Sequence, residues 1–167
     1  MILVLLTNGW YLKIKLMYYE NKSNKENQVN ILEKQSTLVE NFNFFDDWSD
    51  KYAYLIGLGK SLKFPDDKKD QAHLIKGCQS QVWFDVQCLD GKLIFHAISD
   101  AAIVSGLIGL LLEVYNNSTP EEILNSDILF METIGLSRHL SSTRNNGLHA
   151  MLNFIYASAK QHSDINA

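Results

Sequence analysis

Cysteine is scarce in this sequence: Cys78 and Cys88 are the only two among 167 residues. Two thiols cannot staple a small disulfide scaffold, and no C-x-x-C spacing joins them for redox or metal chemistry. Nine glycines and two prolines are too few for a collagen-like chain. No stretch repeats at a fixed period, which excludes a solenoid. No apolar run reaches the ~18 residues of a membrane span. The apolar start, Met1-Ile2-Leu3-Val4-Leu5-Leu6, has no basic residue ahead of it and no small-x-small site behind it, so it does not read as a signal peptide. A cytoplasmic protein without a membrane partner is expected, and the sequons at Asn21 and Asn117 then carry no weight. Positive charge is also short. Lys and Arg total 15 against 19 Asp and Glu, net −4. The deficit lies in the C-terminal part, where 4 basic face 9 acidic residues from Gly77 onward. Nucleic-acid binders carry the opposite excess, so no nucleic-acid partner is expected.

What is present is a core. Apolar residues make up 46% of the chain and charged residues 20%, and a chain of this length makes about one domain. Residues 1–30 read as a poorly defined or flexible N-terminal extension, because Glu20 to Asn30 is polar and rich in Asn and Lys. Residues 31–167 read as the domain.

Within it, Leu38, Phe42 and Phe45 share a helical face from about Gln35, with Ser36 as the cap. Asp46-Asp47 suits the start of a second helix carrying Trp48, Tyr52, Leu55 and Ile56, ended by Gly59 ahead of Phe64-Pro65. The period then changes to two. Val82, Phe84, Val86 and Cys88 alternate with polar or amphipathic neighbours, and Asp90-Gly91 turns the chain into a returning strand from Leu93 to Ile98. This predicts a hairpin at about 80–98, with Cys88 buried in phase. Ser99 or Asp100 caps a helix from Ala101 to about Tyr115, apolar nearly all round and hence central. Its Gly106 and Gly109 admit another backbone closely. Thr119-Pro120-Glu121-Glu122 is a capping box with proline at the first helical position. A short helix is expected between Asp127 and Leu136, and a last one from Ser141, Ser142 or Thr143 that buries Leu148, Met151, Leu152 and Ile155. The fold class is α+β, a small antiparallel sheet covered by helices.

Few motifs carry chemistry. Gly57-Leu58-Gly59-Lys60-Ser61 imitates the end of a phosphate-binding loop, but Tyr54 stands where its first glycine is needed and a helix precedes it. The five histidines, His73, His96, His139, His149 and His162, form no ligand spacing, so no metal is expected. Cys78 stands apart. It follows Gly77, precedes polar Gln79 and Ser80, and lies at the mouth of the first strand. On the residues alone it is a functional thiol or an incidental one.

The run Gly77-Cys78-Gln79-Ser80-Gln81-Val82-Trp83 resembles the signature of the SufE family, the sulfur-acceptor partners of cysteine desulfurases. Ser99-Asp100-Ala101-Ala102-Ile103-Val104-Ser105-Gly106-Leu107 resembles the start of that family's central helix. The segment from Gly135 to Leu148, which contains Ser137-Arg138-His139 and Arg144-Asn145-Asn146-Gly147, resembles the start of its last helix, with Ser142 at a place where proline is expected. The likeness spans about Phe42 to Lys160 and implies a SufE/NifU-like fold.

The resemblance also implies an activity. Cys78 would accept the sulfane sulfur of a desulfurase persulfide, stimulate that enzyme, and pass the sulfur on for iron–sulfur cluster assembly. The partners implied are a SufS-like cysteine desulfurase and a downstream SufBCD-like scaffold. Pyridoxal phosphate would belong to the desulfurase, and this chain itself would bind no cofactor. Members of the family tuck the acceptor cysteine against the body and swing its loop outward. An Asp and an Arg around the loop match Asp100 and Arg144, although Asp100 also reads as a simple helix cap and Arg144 as a surface residue. Gln79 and His139 complete the candidate set. Two other readings stay open, a thiol-dependent redox enzyme acting alone and a non-catalytic module that binds the desulfurase.

Overall fold

A computed structural model of the chain describes residues 30–165. The proposed N-terminal extension lies outside these residues, Asn30 aside. The elements run α1 (Ile31–Asn43), α2 (Trp48–Gly59), a 3-10 turn (Asp66–Lys68), β1 (Val82–Leu89), β2 (Lys92–Ser99), α3 (Ala102–Tyr115), α4 (Pro120–Leu124), α5 (Leu129–Thr133), α6 (Leu136–His139) and α7 (Ser142–Ile165). The class is α+β, with one two-stranded antiparallel sheet and seven α-helices among the described residues.

Helix α3 sits at the centre. Nine of its fourteen residues are buried, from Val104 to Tyr115. A helix with so little polar face must be covered nearly all round. The hairpin, α1, α2 and α7 all pack on it. Against α2 the approach is unusually close. A Cβ placed on Gly106 would lie 2.5 Å from the Leu55 carbonyl oxygen, and one on Gly109 would lie 2.6 Å from the Leu58 backbone. From the other side, a Cβ on Gly59 would meet the Ser105 backbone at 2.5 Å. Gly59 is the last residue of α2, as its position suggests, but its φ is not left-handed, and Lys60 beyond it is right-handed. The glycine is there for helix contact.

The hairpin pairs Val82 with Ser99 at one end and Leu89 with Lys92 at the other. Asp90 and Gly91 both have positive φ, 50° and 76°, the mirror-image turn that the right-handed twist of two strands favours. Both edges are covered. Ile75 N–H donates to Val82 O and Phe84 N–H to His73 O along β1. Leu93 pairs with Ser118 along β2, and the Asn116 side chain exchanges two hydrogen bonds with the Phe95 backbone. This capping of open edges leaves few unpaired strand groups. Lys34 ties α1 to the same place, donating to Asn116 O and Ser118 Oγ, and burial pushes its pKa down.

Three expectations need correction, and a fourth, the short helix between Asp127 and Leu136, is met and extended. Helix α1 begins at Ile31, capped by Asn30, whose side chain accepts from Glu33 N–H at 2.9 Å; Ser36 lies inside it. Its buried stripe is Ile31, Gln35, Leu38 and Phe42, and polar Gln35 hides the start of that stripe because its amide is satisfied by Asp127 O at 2.8 Å. Cys88 is exposed. Burial along β1 ends at its far half, because Asn117 and Ser118 cover only the neighbouring strand, where Leu93 is fully buried. Neither Ser99 nor Asp100 caps α3; the cap position is Ala101, with no side-chain hydrogen bond. The region from Asp127 to Leu136 holds α5, and the left-handed Gly135, φ 74°, separates it from a further helix, α6.

The glycine contacts make a paired prediction. Gly106→Ala gains helix propensity but forces a methyl into backbone, and destabilisation by about 1–3 kcal/mol is expected from overpacking. Gly57→Ala, whose new Cβ meets nothing within 4 Å, should stabilise the protein by about 0.5–1 kcal/mol. Urea denaturation of the two variants checks both signs.

Candidate functional site

The segment that leads to Cys78 is anchored before it turns. Residues 73–75 run along the β1 edge, and the Lys68 and His73 side chains lie against Asp85 on β1, with Asp70 bonded to His73. Lys68 Nζ lies 2.5 Å and His73 Nε2 3.8 Å from the Asp85 carboxylate. His73 Nδ1 is 2.8 Å from Asp70, whose carboxyl that side-chain hydrogen bond holds below its ordinary pKa. Beyond this anchor the chain turns at Lys76-Gly77. Gly77 has φ +93°, a conformation that side-chain-bearing residues rarely adopt. The return to β1 is anchored as well. Asp100 Oδ1 accepts from Gln81 N–H at 3.1 Å, and Ser99 Oγ donates to Gln81 O at 2.8 Å. Ser99 Oγ also accepts from Ala101 N–H at 3.2 Å. Asp100 therefore serves the loop backbone, which is why α3 begins without a side-chain cap.

Between these two fixed ends, Cys78 is half-buried in a cleft of about 280 Å³. The cleft is formed by the cysteine loop, the first turns of α3 and the first turns of α7. Val104, Leu107 and Met151 give it apolar walls, and Gln79, Thr143 and Arg144 line it as well. The thiol donates to Gly147 O in α7 at 3.7 Å, an ordinary length for a weak sulfur donor. Burial is the sole cause acting on the thiol, and it pushes the pKa up. The resting sulfur is thus the protonated thiol rather than the reactive thiolate.

The sequence-derived candidates divide. Cys78, Gln79 and Arg144 line one cleft. Arg144 is exposed in the first turn of α7 and makes no ion pair among the described residues. Asp100 is next to the cleft, joined to Gln81 rather than to Arg144. His139 is elsewhere. It ends α6 and stacks on the Trp48 ring at 3.5 Å between centroids, with Nδ1 3.0 Å from Gly135 O, and its carbonyl accepts the Tyr52 hydroxyl. These contacts fasten α6 to α2 and bring nothing to the cysteine. Sequence reasoning missed Gly147. Its signal was a glycine in the interior of a long helix, where alanine is favoured by about 1 kcal/mol. No group of three or more His, Cys, Asp or Glu side chains is placed to hold a metal among the described residues, and no helix there is long and apolar enough to cross a membrane.

Comparison with known proteins gives two findings. Residues 36–159 match the protein family described as SufE, Fe-S metabolism associated domain. The fold is similar to the solution structure of a hypothetical protein from Thermus thermophilus, with a TM-score of 0.67 and 20% identity, covering 78% of this chain and 96% of that one. At that identity the likeness concerns the fold alone.

The raised thiol pKa has a consequence for stability. A group whose pKa is raised on folding binds its proton more tightly in the native state, so the native state is favoured below the ordinary thiol pKa and that benefit is lost as pH rises through the folded value. Cys78→Ser removes the titrating group. The stability advantage of the parent protein over Cys78→Ser should shrink between neutrality and about pH 10, where a free thiol ionises. Denaturation midpoints of the two proteins across that range provide the measurement.

Proposed function

The chain belongs to the SufE family, associated with Fe–S metabolism, and on that footing we propose that Cys78 is a persulfide acceptor serving a cysteine desulfurase. The observation that carries this reading is a thiol on a glycine-hinged turn, anchored at both ends and resting in its own apolar cleft. In the transfer step the Cys78 thiolate attacks the outer sulfur of the desulfurase cysteine persulfide. A sulfur–sulfur bond forms at Cys78, the donor's bond breaks, and the donor cysteine leaves as a thiolate. The exchange needs no external oxidant or reductant, because one sulfur–sulfur bond replaces another. Repetition of the same step with a downstream acceptor returns Cys78 to the thiol.

The surrounding residues have parts in this sequence. Rotation about Gly77 carries the thiol out of the cleft, where solvent and a partner's groups favour the thiolate. Arg144 at the rim is a fixed cation with no competing carboxylate among the described residues, suited to the anionic thiolate or persulfide. Asp100 holds the Gln81 end of the loop, so that motion is confined to residues 76–80. Gln79 lies next to the attacking sulfur and is placed to meet the partner. Apolar walls of the resting cleft keep water and oxidants from the sulfur, which limits its passage to sulfinic and sulfonic acids. A thiol enzyme acting alone is less well supported, since no histidine or second cysteine among the described residues lines the cleft. This reading gives the chain itself no cofactor; the pyridoxal phosphate of the reaction belongs to the desulfurase, and a scaffold for cluster assembly is the acceptor.

Incubation with a desulfurase and cysteine should add one or more sulfur masses to the Cys78 peptide, read by mass spectrometry. Cys78→Ser should accept no sulfur and lose all stimulation of the desulfurase, whereas Cys88→Ser should retain both. Full stimulation by Cys78→Ser would overturn the acceptor role. Arg144→Gln should slow sulfur uptake several-fold while leaving the thermal midpoint in place, because its side chain makes no ion pair among the described residues.

A further inference from the structure

Gly147 lies in the first third of α7, a helix of 24 residues. Its backbone has no left-handed φ, so conformation does not require glycine. An alanine there would favour the helix by about 1 kcal/mol. The space beside it explains the choice. A Cβ on Gly147 would lie 3.4 Å from Cys78 Sγ and 3.9 Å from Cys78 Cβ, with no other side chain or distant backbone atom within 4 Å. The bare backbone of this residue is the seat of the thiol, and its carbonyl is the thiol's hydrogen-bond acceptor.

We infer that Gly147 is a positioning residue, a proton-dependent latch that holds the Cys78 loop in its resting state and releases it when the thiol ionises. The inference rests on the acceptor reading for its purpose but not for its chemistry. The contact requires a proton on Sγ. A thiol donates to a carbonyl, whereas a thiolate would point its charge at the negative end of the carbonyl dipole in an apolar cleft. On ionisation the proton passes to solvent and the sulfur moves toward the rim. Besides Cys78, Arg144 is the one acid–base side chain among the described residues that line the cleft, and a guanidinium is a fixed cation. Lys76 is two residues before the cysteine, and Asp100 is occupied by Gln81 N–H. Once loaded, Sγ is bonded to a second sulfur and carries no proton, so the same latch cannot close at that atom. The resting thiol is held and the loaded one is not.

The test uses the full chain in a Cys88→Ser background, which leaves one thiol, and reads the pH profile of alkylation by iodoacetamide. Gly147→Leu, a good helix former, places side-chain atoms where Sγ rests. It should alkylate several-fold faster at neutral pH, with the midpoint of its profile at lower pH than that of the Gly147 protein. Gly147→Ala should move both in the same direction by less, and it carries the test if the leucine variant does not fold by circular dichroism. Folded variants with an unchanged profile, or with slower alkylation, overturn the latch. Mass spectrometry after desulfurase treatment separates the two readings. A shifted profile without sulfur gain keeps the latch and removes the acceptor role, and sulfur gain with an unshifted profile does the reverse.

Discussion

The structure depends on covering α3. This helix has little face fit for water, so the hairpin, α1, α2 and α7 are arranged to hide it, and the approach of α2 is close enough that Gly59, Gly106 and Gly109 must lack side chains. Backbone contact of this kind leaves little freedom for sliding, because a shift of either helix would bring side chains into the gap. The position of the α3 N-terminus is thereby set. The hairpin delivers the chain to that point through β2, and α7 crosses beside it. The cleft at the cysteine is the space left where these three structures converge.

On the acceptor reading proposed above, a thiol that reacts with a partner's persulfide yet survives between encounters faces conflicting demands. Exposure makes it reactive, and burial protects it. The protein meets both by anchoring the loop at its two ends and leaving the middle to a turn with one left-handed glycine. The anchors differ in kind. Before the turn, the Lys68 ammonium and the His73 ring lie against the Asp85 carboxylate; after it, Asp100 and Ser99 hold the Gln81 backbone. The five residues between them carry none of the hydrogen bonds of the sheet. The charge at the rim completes the arrangement. Burial is the cause that acts on the resting thiol; on the proposed reading, the Arg144 charge serves the sulfur once it leaves the cleft.

Polar residues did most to separate sequence expectation from structure. Gln35 continues the buried stripe of α1 although its side chain is polar, since a carbonyl from a distant loop satisfies it. Asp100 precedes a helix as a capping residue should, yet its carboxylate bonds the residue before β1. Cys88 follows the alternation of β1 but emerges into solvent, because burial depends on what lies over the strand. Gln35 and Asp100 are placed by partners remote in sequence and Cys88 by a lack of cover, none of which a local pattern reveals.

By itself, the sequence determined what short-range physics controls: the hairpin and its Asp-Gly turn, the capping box at Thr119, the apolar central helix, and the glycine contacts at Gly106 and Gly109. These follow from alternation, helical spacing and the steric freedom of glycine, all written within a few residues of one another. Only the tertiary structure decided that Arg144 and Gln79 share the cysteine's cleft, that His139 belongs instead to a stack on Trp48, and that the sulfur rests against the backbone of Gly147. Those placements arise from packing among elements far apart in the chain, with 69 residues between Cys78 and Gly147 and more between Trp48 and His139, and contact energy at such separations depends on the assembled fold.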